Sequence, residues 1–199
     1  ALTKKKRLRT RYTYILAQLY EEMGNKTKAS QYYTIVTKKN PTYEMEFNAK
    51  INLALQYDAE TANSEGLKKE LRKMARDDKN IDYLDRIYFA LAEIALEEGE
   101  KQQAKEYFQF SVQNSTVNSK QKAISYLRLG ELFFEEQNYV KAEAYYDSSL
   151  SFLPEDFEDY EEVKSMRNSL GDVVEDLNTI AFEDSVQRLA GMTEAELDL

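Results

Sequence analysis

The chain has 199 residues, of which 42% are hydrophobic and 12% aromatic, and its formal net charge is −9. This composition can build a core of ordinary size, and the excess of negative charge would repel the phosphate backbone of nucleic acids. Histidine and cysteine are both absent, which removes the commonest general base, the thiolate nucleophile and the usual transition-metal ligands, so we expect no enzyme, no metal site and no cofactor.

The residue types favour helices throughout the chain. Six glycines and two prolines are too few for the many turns of an all-β domain, and Ala, Leu, Glu, Lys and Gln dominate the long segments. There is no run of 18 apolar residues and no export signal at the start, so no membrane span is expected. Because the chain begins at Ala1 and stops in a charged, helix-prone segment, we expect it to be part of a longer protein.

A segment near the start of the chain is repeated near its end. Residues 19–41 are LYEEMGNKTKASQYYTIVTKKNP, residues 132–154 are LFFEEQNYVKAEAYYDSSLSFLP, and a looser copy spans residues 94–116. Aligned on one small residue, the units are 37, 38 and 38 residues apart, at Ala29, Gly66, Ala104 and Ala142. Thirteen residues before each of these lies a leucine followed by a small residue, at Leu16, Leu53, Leu91 and Leu129. This period predicts stacked helical hairpins, with small residues where the paired helices approach.

The repeat divides the chain into predicted elements. Residues 1–156 should form four helix pairs, at about 10–43, 47–80, 85–118 and 123–156. Pro41 and Pro154 should end the second helices of the first and last pairs, because proline interrupts a helix. The third pair ends at Thr116 instead, and the second pair is the most degenerate. Residues 157–199 are predicted to form an acidic segment and a capping helix.

The segment after Pro154 carries two signals. The carboxylates of EDFEDYEE lack the turn glycine and alternating spacing of a calcium loop, so a solvated acidic surface is expected there. Apolar residues then recur at helical spacing, at Val163, Met166, Leu170, Val173, Val174, Leu177 and Ile180. These residues predict a long helix that covers the open end of the repeats.

The repeat pattern resembles the tetratricopeptide repeat, which has small and aromatic residues at fixed offsets. The first unit matches through Leu16, Ala17, Tyr20, Ala29, Tyr33 and Pro41. The last unit matches through Tyr126, Leu129, Gly130, Phe133, Ala142, Tyr146 and Pro154. The resemblance implies an all-α, right-handed superhelix that binds proteins. A plain helical bundle with coincidental spacing is the alternative fold.

In a repeat of this type the first helix of each pair lines the concave face. The residues expected to look into that face are Tyr14, Gln18, Asn48, Ile51, Leu55, Phe89, Glu93, Leu127 and Glu131. They form a mixed apolar and acidic surface, which favours a basic or polar partner strand. The tetratricopeptide clamp for the carboxylate tail of chaperones uses Lys and Asn at such positions, so a chaperone tail is not the expected partner.

Two segments outside the repeat signature resemble a more specific family. NPTYEMEFNAKINLA at residues 40–54 and AFEDSVQRLAGMTEAE at residues 181–196 are similar to the repeat domain of the PorW/SprE family, lipoproteins of type IX secretion and gliding motility. The resemblance implies a periplasmic scaffold that links parts of the secretion machinery and is anchored to the outer membrane by a lipidated N-terminus outside this sequence. The alternative is a generic repeat adaptor with an unrelated protein client.

Overall fold

The computed structural model describes residues 2–60 and 63–192, with the backbone alone for residues 2 and 3. Within those ranges the chain is all-α, which confirms the predicted fold class. The helices are α1 Leu2–Glu22, α2 Lys26–Thr37, α3 Tyr43–Leu55, α4 Glu65–Ala75, α5 Leu84–Glu97, α6 Lys101–Asn114, α7 Ser119–Glu135, α8 Tyr139–Leu150 and α9 Tyr160–Ala190. A 3₁₀ segment, Asp78–Tyr83, lies between α4 and α5. None of these helices is long and apolar enough to cross a membrane.

The chain divides into two compact units, Ala1–Gln121 and Lys122–Leu199, and the division falls within α7. In the first unit α1 packs on α2, α2 on α3, and α5 on α6, while α8 packs on α9 in the second unit. The predicted division near residue 156 remains a prediction. Residues 193–199, the end of the predicted segment 157–199, lie outside the described residues.

Small residues lie where paired helices approach each other, as the repeat predicts. Ala17 of α1 and Ala29 of α2 are fully buried and share one apolar cluster with Tyr33. In the second unit the ring of Tyr146 lies so close to Gly130 that an added Cβ would be 3.1 Å from its Cδ2 atom. Close helix contacts therefore depend on the absence of larger side chains at these positions.

In each of the third and fourth hairpins, a buried serine joins the two helices of that hairpin by a hydrogen bond. Ser111 on α6 donates a hydrogen bond from Oγ to the carbonyl oxygen of Asp85 at 2.8 Å. At the equivalent position of the last hairpin, Ser149 on α8 donates to the carbonyl oxygen of Ala123 at 2.9 Å. Both serines are fully buried, so each bond satisfies a hydroxyl that would otherwise be costly to remove from water.

The turn inside three of the hairpins uses the same left-handed backbone conformation. Gly24 and Gly99 have φ values of +68° and +77°. The equivalent position of the last hairpin is Gln137, which has a φ of +58°. A residue with a Cβ is strained in this region, whereas glycine is not. The last hairpin therefore keeps the turn geometry although it has glutamine in place of glycine.

The second hairpin departs from the repeat. A Cβ added to Gly66 would meet nothing within 4 Å, so its assignment as the close-contact residue of this unit is wrong. The physical reason is that α4 packs mainly on α5, with Leu71 and Met74 in one apolar cluster with Ile87 and Leu91. Lys68 of α4 is also buried, and its ammonium forms an ion pair with Glu98 at 2.9 Å.

The predicted long helix after Pro154 is present as α9. Its first half packs on α8, with Val163 and Leu170 buried and Arg167 bonded to Asp147 at 2.9 Å. From Asp172 onward almost every described side chain is exposed. The helix therefore continues well beyond the part that α8 covers.

Candidate protein-binding surface

A groove of about 320 Å³ runs between α1 and α3, the first helices of two successive hairpins. Its lining side chains are Arg11, Tyr14, Ile15, Gln18, Thr42, Glu44, Met45 and Asn48. Three of the predicted binding residues, Tyr14, Gln18 and Asn48, are brought together here. Tyr14 and Gln18 are one turn apart on α1, so their side chains share a face of that helix.

A hydrogen-bonded network lies behind the groove. The ring of Tyr14 meets the buried ring of Tyr33 edge to face, with 5.7 Å between the centroids. The Tyr33 hydroxyl donates to Glu21 and accepts from Asn52 Nδ2 at 3.0 Å. The other oxygen of Glu21 accepts from Gln56 Nε2 at 2.8 Å. These bonds link α1, α2 and α3, so the side chains of the groove are held on a fixed base.

The chemistry of the groove suits a polypeptide backbone. The side-chain amides of Gln18 and Asn48 can each donate and accept hydrogen bonds, as the groups of an extended peptide require. Burial, together with the nearby carboxylates of Glu21 and Glu44, raises the pKa of Tyr14, although Arg86 opposes the shift. The phenol therefore stays protonated and remains a donor. The lining has one cation, Arg11, and one carboxylate, Glu44, so the groove has no strong preference for either charge.

The other predicted residues of the first unit do not line this groove. The prediction that Ile51 faces a binding surface is wrong, because Ile51 is only 2% exposed and belongs to the core cluster that α3 shares with α4 and α5. Leu55 packs against the same cluster. Phe89 is half-buried and contacts Phe108 edge to face at 5.4 Å, and Glu93 is half-buried on the same helix.

Leu127 and Glu131 belong to the second unit, where both are half-buried on α7. Glu131 accepts from Arg128 at 2.9 Å, which compensates part of its charge. Burial, assisted by Glu131, raises the pKa of Tyr146 to about 12. The attraction of Glu131 for a basic partner therefore remains a prediction.

A second, smaller cavity of about 170 Å³ lies between α3 and α4. Lys50 crosses it and pairs with Glu46 at 2.7 Å and with Glu70 at 2.8 Å. The hydrogen bond from Lys50 lowers the pKa of Glu70 against the opposing effect of burial. Because these charges already compensate one another, we interpret the polar groups of this cavity as structural and not as a binding site. Across the described residues, no group of three or more acidic side chains is placed to hold a metal ion.

Comparison with known families agrees with the hairpins. Residues 13–43, which span most of the first hairpin, match a model of the tetratricopeptide repeat. Residues 85–112, within α5 and α6, match a second model of the same repeat. The first and third hairpins are therefore similar to tetratricopeptide repeats. No curated protein matches the chain significantly. These repeats are helical modules that commonly bind proteins, so the groove between α1 and α3 lies on a fold suited to that role.

Sequence reasoning missed several groove residues. Arg11, Glu44 and Met45 were not predicted, although each lies three or four positions before a predicted residue on the same helix. Helical neighbours at these spacings share a face, so the signal was present in the sequence. Thr42 was missed because it precedes α3, where its hydroxyl caps the helix by accepting from the backbone of Met45.

Proposed function

We propose that this chain is a non-enzymatic scaffold that binds an extended segment of a partner protein in the groove between α1 and α3. The observation that carries the proposal is the placement of two amide side chains, Gln18 and Asn48, beside the fixed ring of Tyr14. An extended backbone needs paired donors and acceptors, and an aromatic ring supplies apolar contact area at small entropic cost.

The binding role can be tested with a matched pair of double variants. Gln18→Ala with Asn48→Ala removes both groove amides, whereas Gln109→Ala with Gln113→Ala removes two exposed amides from α6. Partners that are purified with the unmodified chain should be lost with the groove variant and kept with the α6 variant. Equal recovery with both variants would show that the groove is not the binding surface.

The cellular role we propose is that of a type IX secretion and gliding component, which links parts of the secretion machinery. The support is the resemblance of residues 40–54 and 181–196 to the PorW/SprE family, together with the tetratricopeptide repeats of the chain. In this role the protein is periplasmic and held at the outer membrane by a lipidated N-terminus outside the present sequence. Labelling of the whole protein with a radioactive fatty acid, followed by membrane fractionation, tests the anchor.

The alternative is a repeat adaptor with a client outside secretion, which the same repeats and the same groove would serve. The identity of the purified partners separates the two roles. Components of the secretion machine, recovered from the envelope of a type IX secreting bacterium and lost with the groove variant, support the first role. Recovery of unrelated clients alone, with the same dependence on Gln18 and Asn48, supports the adaptor.

A further inference from the structure

The outer face of α1 carries an apolar stripe that no described part of the chain covers. Its members recur at intervals of four and three residues, at Leu8, Tyr12, Ile15 and Leu19, and Met23 continues the series one residue after the end of α1. Their side chains are between 40% and 75% exposed, which is unusual for so many large apolar residues on one helix face. The stripe adjoins the groove between α1 and α3, and only Ile15 belongs to both surfaces.

Comparison with the third hairpin shows that a helix packs on the equivalent face of α5. In the alignment of the repeats, Tyr12 and Leu19 of the stripe and the neighbouring Leu16 correspond to Ile87, Ile94 and Leu91 of α5. The three residues of α5 are almost completely buried, because α3 and α4 both pack on that face. In α1 the corresponding residues are 41% to 57% exposed. The stripe is therefore the repeat's own helix-receiving surface, without a helix on it.

Charge indicates which helix fits this surface. The first turns of α1 carry exposed basic residues on both sides of the stripe, at Lys4, Lys5, Arg7, Arg9 and Arg11. No acidic residue occurs before Glu21, so this end of the chain is strongly positive. A helix that covers the stripe must offer apolar side chains at matching intervals and carboxylates beside them.

The second half of α9 has these features. Val173, Leu177 and Ile180 follow one another at intervals of four and three residues and are 41% to 55% exposed. Exposed acidic residues accompany them, at Asp172, Glu175, Asp176, Glu183 and Asp184. From Asp172 to Asp184 there is no basic residue. The exposed part of α9 is about 30 Å long, which is close to the length of α1.

We propose that the chain associates head to tail, with α1 of one copy packed against the second half of α9 of another copy. The two faces differ, so the contact is heterologous, and two joined copies still have one unused α1 face and one unused α9 face. We expect repeated addition to give short open chains in place of a closed dimer. The stripe shares Ile15 with the groove of the proposed function, but the residues changed in the two tests are different, so either idea can fail alone.

The test is analytical ultracentrifugation of the unmodified chain and of two double variants. Tyr12→Gln with Leu19→Gln removes apolar area from α1, and Leu177→Gln with Ile180→Gln does the same on α9. All four side chains are at least 42% exposed and glutamine is a good helix former, so the folded monomer should tolerate both changes. Circular dichroism confirms the helix content of each variant before the run.

The unmodified chain should show a weight-average mass that rises with concentration past twice its 23.2 kDa. Each variant alone should stay monomeric, because one of its two faces is disabled. An equimolar mixture should stop at a complex of two chains, since the intact α1 of one variant still meets the intact α9 of the other.

Salt gives a second measurement that needs no variant. Because the charges are exposed, association of the unmodified chain should weaken several-fold when sodium chloride rises from about 50 mM to about 500 mM. A chain that remains monomeric at every concentration would overturn the proposal. Self-association of the α9 variant alone would do the same, because it would indicate pairing of α1 with α1.

Discussion

The contact between Gly130 and Tyr146 gives the sharpest prediction for the stability of this fold. A Cβ at residue 130 would lie 3.1, 3.2 and 3.3 Å from the Cδ2, Cε2 and Cγ atoms of Tyr146. Since Cγ lies on the axis about which the ring turns, rotation of the ring cannot relieve all three contacts. The tyrosine is only 5% exposed, so its backbone or its neighbours must shift instead.

The size of the effect follows from two opposing contributions. Replacement of a glycine inside a helix by alanine stabilises by about 0.5–1 kcal/mol, because the unfolded chain loses freedom. Overpacking at a close contact costs about 1–3 kcal/mol. We therefore expect Gly130→Ala to lower the free energy of unfolding by about 0–2.5 kcal/mol, and so not to stabilise the protein.

Gly171 supplies a matched control in the same unit. It lies inside α9, and a Cβ there would meet nothing within 4 Å. Gly171→Ala should therefore raise the free energy of unfolding by about 0.5–1 kcal/mol. Urea denaturation followed by circular dichroism measures the free energy of unfolding of both variants. If Gly130→Ala stabilises as much as Gly171→Ala, the close helix contact does not constrain this hairpin.

Three further predictions concern single positions. Ala142→Leu should destabilise by about 1–3 kcal/mol in urea, whereas Ala144→Leu on the exposed side of α8 should be nearly neutral, and equal effects would contradict the assigned register. Gln137→Gly should stabilise by about 0.5–1 kcal/mol, because glycine relieves the left-handed turn, and a loss of stability would refute that strain. Burial would raise the pKa of Glu98, but hydrogen bonds from Ser64 and Lys68 lower this pKa overall. The ionised Glu98 therefore stabilises the folded protein above the ordinary pKa of 4.5, and this stabilisation is lost as the pH falls through the lower pKa of the folded state. Glu98→Gln should therefore lose less stability in acid than the unmodified chain, and parallel curves of unfolding free energy against pH would contradict the assignment.

The repeat spacing was enough to predict most of the fold. Ala29, Ala104 and Ala142 are all fully buried, because a fixed offset from the preceding leucine places a small residue at each close helix contact. The assignment of Gly66 as a close-contact residue was wrong, because α4 packs its apolar side on α5 and makes little contact with α3. Spacing along one hairpin does not say which neighbouring helix receives its buried side.

The candidate site could be predicted only in part for a related reason. Tyr14, Gln18 and Asn48 do share a groove, because first helices of successive hairpins lie side by side. The same rule placed Ile51 on the surface, but α3 contributes to a core with both α4 and α5, and that core takes in Ile51. How far each helix is rotated depends on long-range packing, which sequence spacing alone does not contain.

Photo-crosslinking from the groove tests the scaffold proposal most directly. A photoreactive amino acid at Glu44, which is exposed in the groove, is compared with the same group at Gln113 on the exposed face of α6. This position leaves the amides of Gln18 and Asn48 in place. In a type IX secreting bacterium that makes the tagged protein, irradiation should join position 44 to a defined partner and leave position 113 without that product. Replacement of Asn48 by alanine should then abolish the product. A partner that crosslinks at position 113 and never at position 44 would contradict binding in the groove.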